Sequence, residues 1–185
     1  AVLLAPLAKA QEGKWQAASA FEYWVDHLPY NTFEHVDQLD PLVFCASQDN
    51  LLIIDGSTDE FSRYSRINGL SGTNITALRS DASSQTVWIG YANGRIDVWR
   101  NGGFQPITAI EETPSFTGLK QINGFAFFDG KAYVGTNFGL VEFEISSRLA
   151  GRTFLLGDNY SPIAVASFDI NPVGIACVHS PAQLN

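Results

Sequence analysis

The chain has 185 residues, 45% hydrophobic and 16% charged, the balance of a folded globular protein. Eleven basic residues against 19 acidic ones leave a formal net charge of −8, which disfavours nucleic acid as a partner, since that binding needs a basic footprint. No run approaches the ~20 apolar residues of a membrane-spanning helix.

The first ten residues stand apart. Ala1-Val2-Leu3-Leu4-Ala5-Pro6-Leu7 is apolar and Ala8-Lys9-Ala10 is an A-x-A site before Gln11, the pattern at the end of a secretory signal peptide; an ordinary apolar strand or helix is the alternative. Residues 11–30 carry Trp15, Phe21, Tyr23, Trp24 and Tyr30. Aromatics this dense are expected to pack. Residues 21–25 form either a strand that closes a ring of repeats or one that lies on the first repeat.

From Val43 onward one template recurs: an apolar strand, a small residue, a short turn and a second apolar strand. It reads Val43-Phe44-Cys45-Ala46-Ser47 before Leu51-Leu52-Ile53-Ile54, then Val87-Trp88-Ile89-Gly90-Tyr91 before Ile96-Asp97-Val98-Trp99. The third copy is Ala132-Tyr133-Val134-Gly135-Thr136 before Leu140-Val141-Glu142-Phe143, and a weaker fourth is Ile175-Ala176-Cys177-Val178-His179. Aligned on Ala46, Gly90, Gly135 and Val178, the steps are 44, 45 and 43 residues. Propeller blades of four short strands repeat at roughly 40–50 residues. In the second copy the strands are predicted at residues 75–79, 86–91, 95–99 and 104–110, with Asn93-Gly94 as the hairpin turn. The fold is therefore expected to be all-β, a β-propeller with four-stranded antiparallel blades of about 44 residues. It is incomplete, with about three and a half blades of a ring of seven. The blades fall at about 31–70, 71–118, 119–160 and, in part, 161–185, within one domain over 11–185 that follows the leader remnant at 1–10.

Cys45 and Cys177 occupy the same slot in the first and fourth copies. Equivalent strands three blades apart cannot bring Cα atoms within the ~7 Å a disulfide needs, so both are expected as buried, unpaired thiols.

Nothing in the pattern points to catalysis or to a cofactor. His27, His35 and His179 show no metal-ligand spacing, no Cys-x-x-Cys exists, and no serine sits in a G-x-S-x-G elbow. Asp55-Gly56-Ser57-Thr58-Asp59-Glu60 lacks the twelve-residue calcium-loop pattern and reads as a solvated turn, as does Glu111-Glu112. Ligand recognition is the more promising chemistry. Loops between second and third strands and connectors between blades share one face of a propeller. There they carry Tyr91, Asn93, Arg95, Asn137 and Phe138, with Phe116 and Lys120 on the long connector. Aromatics beside amides and a few cations suit stacking on sugar rings and hydrogen bonds to hydroxyls; the alternative is that the aromatics pack between blades and the amides cap turns.

Gly69-Leu70-Ser71, the strand Ile75-Thr76-Ala77-Leu78, Asp81, Val87-Trp88-Ile89-Gly90-Tyr91 and Asn93-Gly94 together resemble the repeat of the two-component-regulator propeller class. Tyr91 stands where that class has Thr, and Thr136 with Gly139-Leu140 restores the pattern. A narrower set comprises residues 24–30 and 90–98, Gln121-Ile122-Asn123 and residues 135–140. It resembles the N-terminal propeller of PorZ-like accessory proteins of the type IX secretion system over about residues 15–160. Residues 177–181 depart from it. The resemblance implies a non-catalytic, cofactor-free, exported protein at the outer-membrane surface, beside the sortase that processes secreted cargo, and binding or delivering anionic lipopolysaccharide. The alternative it leaves open is a periplasmic sensor propeller of a hybrid two-component system that binds oligosaccharides.

Overall fold

A computed structural model describes residues 32–179; the leader-like residues 1–10, the aromatic segment at 11–30 and His27 lie outside the described residues. Three four-stranded antiparallel sheets and a two-stranded one follow in chain order. The first blade is β1 (His35–Leu39), β2 (Leu42–Ala46), β3 (Asn50–Asp55) and β4 (Phe61–Ser65). The second is β5 (Ile75–Asp81), β6 (Thr86–Tyr91), β7 (Ile96–Arg100) and β8 (Gly103–Ile107). The third is β9 (Ile122–Phe128), β10 (Lys131–Thr136), β11 (Gly139–Glu144) and β12 (Ala150–Phe154); β13 (Val165–Asn171) and β14 (Gly174–His179) make the described part of the fourth. Each sheet is a meander whose neighbours in sequence are neighbours in space, and the innermost strands β1, β5, β9 and β13 pack against one another in turn. This is an all-β, open propeller arrangement. The second strands begin at Leu42, Thr86, Lys131 and Gly174, steps of 44, 45 and 43 residues, as the repeat requires.

The strand β6 matches its expected bounds. The strand β7 starts one residue later than expected and β8 ends at Ile107, where its ladder with Ile96 ends. Ile110 leaves the strand and buries itself in the seam between blades.

A sheet pressed between two others is buried on both faces, which explains why the strands read as near-continuous apolar runs rather than as an alternation. All six residues of β6 are buried. Its alternate side chains serve two cores. Val87, Ile89 and Tyr91 join Phe44 and Leu51 in the seam between blades one and two, where Phe44 and Trp99 meet edge-to-face at 5.0 Å. Trp88 faces the other way, in the seam between blades two and three, and packs near Phe125, Phe127 and Phe143.

The small residue of the repeat has a structural cause. A Cβ on Gly90 would overlap the side chain of Ile122, the first residue of the next blade, and one on Gly135 would lie 2.7 Å from the ring of Phe168. Opposite each glycine the innermost strand bulges: the register slips at Thr76 and at Asn123. The bulged side chain then reaches the next blade, Thr76 Oγ1 donating to the Ile122 carbonyl (2.7 Å) and Asn123 Nδ2 to the Val165 carbonyl (3.0 Å). Glycine and bulge together form a joint between blades.

The cysteine expectation divides. Both thiols are free, and both stand on the second strand opposite the innermost one, Cys45 opposite Val36 and Cys177 opposite Phe168. Cys45 is buried, but Cys177 is exposed, contrary to expectation, because β14 pairs only with β13 and no described strand covers its other flank.

Candidate functional site

The loops between second and third strands lie on one face with the connectors that lead to the next blade. Backbone bonds tie the two sets together: the amide of Ala92 donates to Asn74, and that of Asn137 to Gln121. All seven sequence-predicted ligand residues map to this face.

Four of them belong to one network around blade two. Tyr91 is fully buried, and its hydroxyl donates to Asp97 Oδ2 (2.6 Å), which also accepts from the Ser71 amide (2.7 Å). Burial first, then the charge and hydrogen bond of Asp97, push the Tyr91 phenol far above its ordinary pKa. Arg95 donates from Nε to Glu111 Oε2 (2.7 Å) and from Nη1 to the Ser71 carbonyl (2.9 Å). Asn93 gives its amide to the other oxygen of Glu111 (2.7 Å). Lys120 turns inward, its Nζ donating to the carbonyls of Glu111 (2.7 Å) and Thr113 (2.8 Å). Glu111 is thus a half-buried anchor that organises the connector, not the solvated turn its sequence suggested. Sequence reading missed it because its partners lie 16 and 18 residues away.

The other predicted residues sit one blade on. Asn137 Oδ1 accepts from Asn123 Nδ2 (2.9 Å). Phe138 is buried, and its ring lies 4.6 Å from that of Phe116. Behind this pair, between the connector and the outer strands of blade three, lies an apolar cavity of about 290 Å³ walled by Ile110, Phe116, Phe138, Val141 and Leu155. A second, more polar hollow of about 220 Å³ runs along the innermost strands past His35, Thr76, Arg79 and Asn123.

The arrangement places a preorganised polar surface beside an apolar hole. Its cations are spent inside the fold, Arg95 on a carboxylate and Lys120 on carbonyls, so it offers little free positive charge to an anion. Among the described residues no group of three or more His, Cys, Asp or Glu could hold a metal ion, and no helix is long and apolar enough to cross a membrane.

Comparison with known proteins agrees with this architecture. A family model described as TSS9, PorZ, N-terminal beta-propeller domain matches residues 43–173. Among solved structures, the chain is similar to PorZ, described as an essential bacterial surface component of the type-IX secretion system of Porphyromonas gingivalis. The TM-score is 0.65 at 16% identity over 79% of this chain and 22% of that one. It is also similar to an extracellular domain assigned to the one component system BT4673 of B. thetaiotaomicron (TM-score 0.61, 12% identity, 82% of this chain, 21% of that one). Sqt1 of Saccharomyces cerevisiae shares the fold at TM-score 0.60 and 18% identity, over 75% of this chain and 40% of its own. The chain spans less than half the length of each. No match to a curated protein sequence was found.

Proposed function

The chain belongs to the PorZ N-terminal β-propeller family of the type IX secretion system, and from that premise we propose that it is the non-catalytic propeller of an exported, surface-located accessory protein. In this reading the protein assists the sortase that processes secreted cargo and binds or delivers anionic lipopolysaccharide. The family match over residues 43–173 carries the proposal. Of the predicted ligand residues Tyr91 and Phe138 are buried, so Asn93, Phe116 and Asn137 serve here as a preformed platform for a neutral or hydroxyl-rich group, since Arg95 and Lys120 are already engaged. The anionic part of a lipopolysaccharide would therefore be held by other regions of the full-length protein. Purified full-length protein is expected to prefer anionic over neutral lipopolysaccharide; equal affinity for the two removes the delivery role.

The likeness to the BT4673 extracellular domain favours a second reading, a periplasmic sensor propeller that binds oligosaccharides. The full-length gene product separates them. A membrane helix followed by a kinase supports the sensor, whereas a C-terminal sorting domain supports the accessory protein.

A further inference from the structure

The connectors that border the apolar cavity leave large apolar side chains in solvent. Leu119 is 75% exposed on the connector before β9, and Tyr160 is 83% exposed on the connector before β13, where Leu156 is also exposed. Singly such residues mean little, but here they stand on the two connectors that also supply Thr113, Ser115, Phe116, Leu155 and Pro162 to the wall of a cavity of about 290 Å³. An apolar cavity of about 150 Å³ already accepts benzene, so this one is roomy enough for an indole or a leucyl group. Charge narrows the choice of occupant. Glu112 and Asp158 are exposed on the two connectors, next to the wall residue Thr113 and three positions beyond the wall residue Leu155. The neighbouring cations are occupied: Arg95 by Glu111, Lys120 by two carbonyls, and Arg152 on β12 by Glu142. The two connectors therefore carry more acidic than basic residues, within a chain of net charge −8. A lipid chain would fit the apolar walls, but an acidic headgroup would meet Glu112 and Asp158.

We propose that this cavity receives an apolar anchor side chain, tryptophan or leucine, from a basic peptide segment of a partner protein. The apolar side chain fills the space behind Phe116 and Phe138, and the flanking lysines or arginines face Glu112 and Asp158. The inference does not rest on the lipopolysaccharide reading; the cavity and its rim carry it.

Fluorescence anisotropy on the full-length protein tests it with three labelled peptides: one with tryptophan and leucine between pairs of basic residues, an acidic counterpart, and a basic one with glycines for the apolar pair. The first is expected to bind at least about tenfold more tightly than either of the others, with the advantage over the acidic peptide shrinking as salt rises. Ser115→Trp, at an exposed position on the cavity wall, should weaken it about tenfold by filling the space. Glu112→Lys combined with Asp158→Lys, both on exposed side chains, should abolish the preference for the basic over the acidic peptide. Equal binding of the three peptides, no binding of any, an indifferent Ser115→Trp variant whose circular dichroism is unchanged, or displacement of the first peptide by a neutral lysolipid but not by its unlabelled form would overturn the proposal.

Discussion

Tyr91 shows how one residue departs from its repeat and what the departure requires. Its counterpart in blade three is Thr136, whose hydroxyl donates to the Gly139 carbonyl within the same hairpin (2.9 Å). Tyr91 is too long for that bond and instead reaches Asp97, which stands where blade three has Val141. Gly72 lies flat against the ring, where a Cβ would come within 2.9 Å. Tyr91→Phe strands the fully buried Asp97 carboxylate with one fewer donor, and urea denaturation should show a loss of about 1–3 kcal/mol. The same contact has a pH signature. The raised folded pKa means that Tyr91's contribution is complete below the ordinary tyrosine value of about 10 and declines as pH rises beyond it. Stability of the parent protein should therefore fall faster above about pH 10 than that of the Phe variant; parallel curves would argue against the assignment. The threonine-to-tyrosine exchange was visible in the sequence. Its compensation by Asp97 and Gly72 was not, because only the folded ladder sets those residues beside the ring.

Glu142 gives the opposite sign. It is buried, and burial alone would raise its pKa, but hydrogen bonds from Lys131 (3.0 Å) and Arg152 (3.3 Å) outweigh that and hold the carboxyl below its usual range. A depressed folded pKa contributes stability that is complete above the unfolded value, about 4.3, and is lost as pH falls through the folded one. Thermal melts from about pH 6 to about pH 3 should drop more steeply for the parent than for Glu142→Gln. An unchanged slope in the variant would show that the pair adds nothing pH-dependent.

At the level of elements, the joint between blades makes the sharpest claim. Gly90→Ala forces a methyl into Ile122 and should cost about 1–3 kcal/mol, the range for overpacked cores. Gly174→Ala is the control: nothing lies within 4 Å of the added carbon, so the change should stay within about 0.5 kcal/mol. Equal melting temperatures for the two variants would refute the joint. The period, the second strands and the hairpin turns were legible in sequence because apolar runs and Asn-Gly pairs are local signals. The bulged Thr76 and Asn123 were not, since a polar residue after the first apolar position of a strand carries no mark of the carbonyl it will reach. Of the seven predicted ligand residues Tyr91 and Phe138 are buried, the alternative the sequence left open; that Glu111 would engage Asn93, Arg95 and Lys120 was not legible, because those partners lie 9 to 18 residues away.

Across the whole molecule, stability is graded. Blade two is buried on both faces, whereas β13 and β14 expose most of their side chains, with Val173 96% exposed. Amide hydrogen exchange on this chain should be slowest in β6 and β10 and fastest in β13 and β14. Uniform exchange across the four sheets would contradict that gradient. Among the described residues β14 pairs only with β13, so the chain produced alone should self-associate through that edge, which light scattering would register against a monomer standard.

The joint has a further consequence, for ancestry rather than for stability. The seams after blades two and three are each keyed by one glycine and one bulged side chain in a blade, and by one apolar side chain and one carbonyl in the first strand of the next. A blade therefore carries both halves of the connection, a socket at one side and a plug at the other. Duplicating the stretch of gene that encodes it would produce a cassette that already fits its neighbours. Rings of this kind can grow by copying, and circular permutants cut within a connector should retain every seam but the one whose chain linkage moves.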